Sequence, residues 1–96
     1  MLKILRSTKN ESVILTLIGR IEGESLEELK RLVGLEASGH KLILDMKDIT
    51  LVDQSAIRFL ARSEADSVTI ENCPAYIRDW VAAEKHRNKR SKPEVK

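Results

Sequence analysis

Ninety-six residues suffice for one domain with one modest core and leave little room for a large catalytic cleft. Apolar residues make up 42% of the chain, but the only aromatics are Phe59, Tyr76 and Trp80, so Leu, Ile and Val must fill that core. The net charge of +2 is unevenly spread: residues 1–84 carry 11 basic and 14 acidic side chains, whereas residues 85–96 carry six basic and one acidic.

A single cysteine, Cys73, rules out an internal disulfide and fits a reducing compartment. The opening MLKILRSTKN holds no apolar stretch of signal-peptide length. No run approaches the ~20 apolar residues of a membrane span. The expectation is a cytoplasmic protein with no membrane span.

In chain order, residues 2–6 predict a short strand, with Leu2, Ile4 and Leu5 apolar. The polar stretch Ser7 to Ser12, with Asn10 inside it, reads as a hairpin loop. VILTLI, residues 13–18, is nearly continuous and apolar, as in a strand buried on both faces. Gly19 ends or bulges it. Ser25 and Glu28 have the spacing of a capping box, and Leu26, Leu29, Leu32, Val33 and Ala37 form one helical stripe. The acidic group near residues 22–28 suits the positive end of that helix. Gly39 is a plausible stop.

A second strand–helix unit follows. Lys41 to Asp45 predicts a strand, and a further apolar patch, Ile49 to Val52, leads to Asp53. Asp53 is a natural N-cap for a helix from Gln54 to about Glu64, with Ile57, Leu60 and Ala61 as its stripe and Phe59 beside it. Val68 and Ile70 alternate with polar residues as in a short strand. Pro74 suits the first position of a last helix, capped by Asn72 or Cys73, with Ile77, Trp80, Val81 and Glu84 inward. From Lys85 onward KHRNKRSKPEVK has no apolar periodicity and is expected to fray or be disordered. The boundaries are therefore a domain over 1–84 and a basic tail over 85–96. The order β-β-α-β-α-β-α is a hairpin followed by two crossovers, and right-handed crossovers place the first two helices on one face of the sheet.

Most catalytic chemistry finds no support. Ser55 would need a base, but His40 lies in an expected turn and His86 in the tail, and there is no G-x-S-x-G elbow. Cys73, His40 and His86 show no metal-ligand spacing. A thiol at a helix start could have a lowered pKa. The four glycines form no phosphate-binding fingerprint. The basic run after residue 84 attracts nucleic acid or anionic lipid by charge alone, and without interleaved aromatics it predicts no specific nucleic-acid recognition. Ser55, at the start of a helix, has two readings. One is helix-start chemistry; the other is a phosphate acceptor on an exposed edge, where a phosphoryl group adds about two negative charges.

Certain residues carry a resemblance to a known family. The order β-β-α-β-α-β, Gly19-Arg20-Ile21 at the end of the second strand, and the passage Asp45…Ile49-Thr50…Val52-Asp53-Gln54-Ser55-Ala56 resemble a STAS domain. This is the domain of bacterial anti-sigma factor antagonists, found also at the cytoplasmic end of sulfate transporters. The resemblance spans roughly residues 2–84. It implies a single α/β domain, with a mixed sheet of four or five strands and helices mainly on one face. It also implies protein–protein binding rather than catalysis, with no cofactor, as a monomer or weak homodimer. The family pattern at the key turn is an apolar residue, Asp, Ser, Ser, Gly. Asp53 matches the aspartate and Ser55 the second serine, which an anti-sigma factor kinase phosphorylates in regulated members, releasing the antagonist. Gln54 stands for the first serine and Ala56 for the glycine. Asp66-Ser67 stands where the family usually has a glycine turn. The implied partner surface is Asp53, Gln54, Ser55 and Arg58. A second implied role is a non-phosphorylated accessory subunit of a transporter ATPase or a signalling scaffold.

Overall fold

A computed structural model describes the backbone of residues 2–91 and the side chains of residues 2–87. The elements are β1 (Leu2–Lys9), β2 (Ser12–Ile21), α1 (Glu24–Glu36), β3 (Lys41–Val52), α2 (Gln54–Ala65), β4 (Thr69–Glu71) and α3 (Ala75–Ser91). The strands form one mixed sheet in the order β1-β2-β3-β4. β1 and β2 are antiparallel; β3 runs parallel to both β2 and β4. This is the expected small α/β domain with a four-stranded mixed sheet.

The hairpin is tighter than its polar sequence suggests. β1 and β2 stay paired from Leu2↔Gly19 to Lys9↔Ser12, leaving two loop residues. Asn10 and Glu11 both take positive φ, 51° and 69°, as a two-residue turn of right-handed twist demands. The polar residues Ser7 to Lys9 therefore extend the strand rather than the loop.

Burial along β2 alternates. Val13, Leu15 and Leu17 are buried, while Ile14, Thr16 and Ile18 are only half-buried. One face of the sheet lies under the helices and the other is partly open, so VILTLI is not buried on both faces. Being apolar on the open side, it reads from sequence like a doubly covered strand.

β3 is one strand where the sequence shows two apolar patches. Its buried residues are Leu42, Leu44, Met46, Ile49 and Val52. The spacing changes from two to three where the register with β2 shifts, between Thr16 and Ile18 and again between Gly19 and Arg20. An extra residue on β3 at each shift restores the inward face. The Asp45 carboxylate accepts the Lys47 N–H at 3.0 Å near the first shift, and Gly19 takes φ 113° at the second.

The core is a single cluster of these residues with Ile21, the α1 residues Leu26, Leu29 and Val33, the α2 residues Ala56, Ile57, Leu60 and Ala61, and Ile77 and Val81 of α3. Full burial of each Leu or Ile side chain contributes about 1.5–3 kcal/mol before entropy is counted.

Three expectations are corrected at the helices. α1 begins at Glu24, with Gly23 at the cap position (φ 56°) and no side-chain capping bond, so Ser25 and Glu28 form no capping box. The turn admits a glycine there, and Ser25 falls inside the helix. Trp80 is exposed, because Ile77, Val81 and Glu84 make the inward face of α3 and the indole stands at its margin. Residues 85–91, expected to fray, continue α3. No Gly or Pro interrupts residues 75–91, and Lys and Arg are good helix formers, so the helix outlasts its apolar stripe. The remainder of the expected tail, residues 92–96, lies outside the described residues.

Candidate functional site

The start of α2 is fixed from two sides. The Asp53 carboxylate accepts the Ala56 N–H at 2.8 Å, as the sequence predicts for an N-cap. The Asp53 N–H donates to the Ile21 carbonyl at 3.3 Å, tying the turn to the end of β2. Next to it, the Thr50 hydroxyl donates to the Gly19 carbonyl at 3.0 Å, and the Tyr76 hydroxyl donates to the Thr50 carbonyl at 3.1 Å. The end of β3 is thus held by β2 on one side and α3 on the other.

On this base the residues singled out from sequence separate by exposure. Asp53 is half-buried and committed to its cap; Gln54, Ser55 and Arg58 are exposed. Ser55 is the second residue of α2, and no acidic residue lies in the helix's first turn. Ser55 and Arg58 are three apart, so they are neighbours on the helix surface. Ala56, where the family pattern has glycine, is fully buried in the core.

Ser55 and Arg58 open onto a shallow basin of about 470 Å³ that the sequence did not reveal. Its other walls come from Lys30 of α1, Phe59 and Arg62 of α2, and Glu84 and Arg87 of α3. Spacing within α2 could have suggested Arg62, which lies seven residues from Ser55 and so two turns along the same side. Lys30, Glu84 and Arg87 arrive from other helices; the stripe of α3 turned Glu84 inward, but nothing local brings the three to this basin.

Glu84 is the unusual member. Its side chain is only 5% exposed, and it lies 3.8 Å from the Arg58 Nε and 3.7 Å from Arg87. Its Oε1 atom is buried, and none of the described residues donates a hydrogen bond to it. A carboxylate this dry is costly unless charge compensates it, and here two arginines do so through long contacts. On the neighbouring turns of α3, Tyr76 and Trp80 are exposed. Residues 76, 80 and 84 are spaced by four, so the two aromatics and Glu84 share one side of the helix.

The remaining candidates lie elsewhere. Cys73 lines a smaller cleft of about 220 Å³ with Glu64, Ile70, Arg78, Val81 and Lys85. Burial pushes its thiol up, against the opposing pull of Arg78, so the lowered pKa expected of a helix-start cysteine is reversed. His40 lines a third concavity, with Arg6, Asn10 and Lys41, and His86 is exposed on α3. Among the described residues, no group of three His, Cys, Asp or Glu side chains could hold a metal ion, and no helix is long and apolar enough to cross a membrane. The sequence matches no protein-family model and no curated protein.

Proposed function

We propose that this chain is a STAS-like binding module of the anti-sigma factor antagonist type, acting by partner switching rather than by catalysis. The observation that supports this reading best is the start of α2. Gln54, Ser55 and Arg58 are exposed on a helix end whose backbone is held by the Asp53 cap and by β2. A rigid edge with exposed polar side chains loses little freedom when a partner docks. In this proposal the partner is an anti-sigma factor with serine-kinase activity, and it brings the ATP. The cations beside Ser55 favour an acidic partner surface. A phosphoryl group on Ser55 sets like charges against that surface, which costs several kcal/mol and releases the partner.

The test is a pull-down with wild type, Ser55→Ala and Ser55→Asp, with mass spectrometry of Ser55 after exposure to the captured partner. Ser55→Ala is expected to hold the partner and Ser55→Asp to bind it at least about tenfold more weakly, the effect of ~1.4 kcal/mol. Equal binding by Ser55→Asp, with no phosphate found at Ser55, would sink the switch.

A further inference from the structure

We infer that the basin between α1, α2 and α3 is a built-in seat for a phosphoryl group carried by Ser55 itself. The inference rests on the reading of Ser55 as a phosphate acceptor and adds where the phosphate goes. Lys30, Arg58, Arg62 and Arg87 line the same basin as the Ser55 side chain, and among the described lining residues the one acidic group is Glu84. Lys30, Arg58 and Arg62 set three positive charges against Glu84 in the basin and Glu27 beside Lys30, a local excess of positive charge among these groups. Two of the ion pairs here are long: 3.8 Å for Arg58–Glu84 and 3.5 Å for Lys30 with the exposed Glu27. Contacts of that length with exposed cations hold them weakly. A phosphoserine dianion offers three strong acceptor oxygens and about two charges, enough to draw such cations into short, charge-assisted bonds.

The covalent geometry favours the same seat. A phosphoryl group on Ser55 stands one helical turn from Arg58 and at the positive end of α2. Asp53 is the carboxylate nearest in sequence, and its side chain is engaged with the Ala56 N–H. The transfer itself is balanced by the partner kinase's ATP. The Ser55 Oγ–phosphorus bond forms, the bond from the γ-phosphorus to the β–γ bridging oxygen breaks, ADP leaves, and the hydroxyl proton is released. Once seated, the phosphate occupies the basin from within. It takes Arg58 from the docking edge and competes with Glu84 for it, so Ser55 phosphorylation both blocks the surface and loosens one tie between α2 and α3.

The test uses the full chain with phosphoserine installed at position 55 and no partner present. Phosphorus NMR follows the second ionisation of the phosphate, against a short peptide with the sequence of residues 51–58. The groups that bear on it are Lys30 and Glu27 of α1, the N-cap Asp53, Arg58 and Arg62 of α2, and Glu84 and Arg87 of α3. Seating lowers the second phosphate pKa by roughly one unit relative to the peptide. Arg58→Gln with Arg62→Gln brings it back toward the peptide value, and Lys30→Gln alone gives a smaller change in the same direction. Circular dichroism confirms that each variant is folded. A phosphate that titrates as in the peptide, or one whose lowered pKa survives the double substitution, overturns the seat. Neither result touches partner release, which the pull-down measures separately. Conversely, a Ser55→Asp variant that keeps its partner leaves the seat standing.

Discussion

α1 and α2 both follow a strand of the same sheet and both pack on it, yet they begin in opposite ways. α1 starts from Gly23 at φ 56° with no side-chain cap, its first N–H groups donating to the Glu22 and Gly23 carbonyls. α2 starts from Asp53, whose carboxylate takes the Ala56 N–H and whose own N–H is bound to β2. The first start relies on backbone turn bonds and the packing of Leu26, Leu29 and Val33. The second adds a side-chain cap and a bond to a neighbouring strand. Of the two, α2 therefore suits a docking edge, because its exposed residues stand on backbone that need not reorganise.

That contrast is open to mutation. The largest effect is expected at Gly23. Alanine there meets nothing within 4 Å, so the cost is conformational strain alone at φ 56°. Gly23→Ala is expected to lower stability by about 1–3 kcal/mol in urea unfolding. A neutral result would mean that the turn before α1 relaxes freely. Next is the paired comparison of Asp53→Ala and Ser25→Ala. Loss of the α2 cap costs about 1 kcal/mol. Ser25, whose side chain makes no cap bond, changes stability by less than about 0.5 kcal/mol. Equal costs at the two positions would erase the distinction between the helix starts.

The smallest effect lies at the far end of α1. The Arg6 guanidinium donates to Glu36 at 2.7 Å and holds its carboxylate below the ordinary glutamate range, chiefly through that hydrogen bond. A depressed folded-state pKa gives stability that is present above the unfolded value and lost as pH falls through the folded one. Glu36→Gln is expected to remove a small part of the acid-side loss of stability and to leave the pH dependence above the glutamate range unchanged. The check is urea unfolding at a series of pH values.

Much of the helix-start chemistry was legible. Asp53 announced itself because an N-cap acts within three residues, and so did the stripe of Ile57, Leu60 and Ala61. The capping box at Ser25 was a false signal of the same local kind. Its spacing was right, but the chain turns at Gly23 and carries Ser25 into the helix. The end of α2 shows the converse. The Ser67 and Val68 N–H groups donate to the Glu64 and Ser63 carbonyls, closing the helix with Ser67 at φ 77°, a position where glycine is usual. The sequence marked a turn at Asp66-Ser67 but not its left-handed backbone.

The sequence by itself determined the order of elements, the inward stripe of α2, that of α1 except for Ala37, which is exposed past the helix end, and the placing of Ser55 at the start of α2. Those follow from periodicity and from bonds between residues a few positions apart. Only the tertiary structure decided the single long β3 with its two shifts, the open face of β2 and the exposure of Trp80. It also brought Lys30, Arg58, Arg62 and Arg87 around one serine. Register across strands and charge across helices depend on residues tens of positions apart, and no local pattern encodes which of them meet.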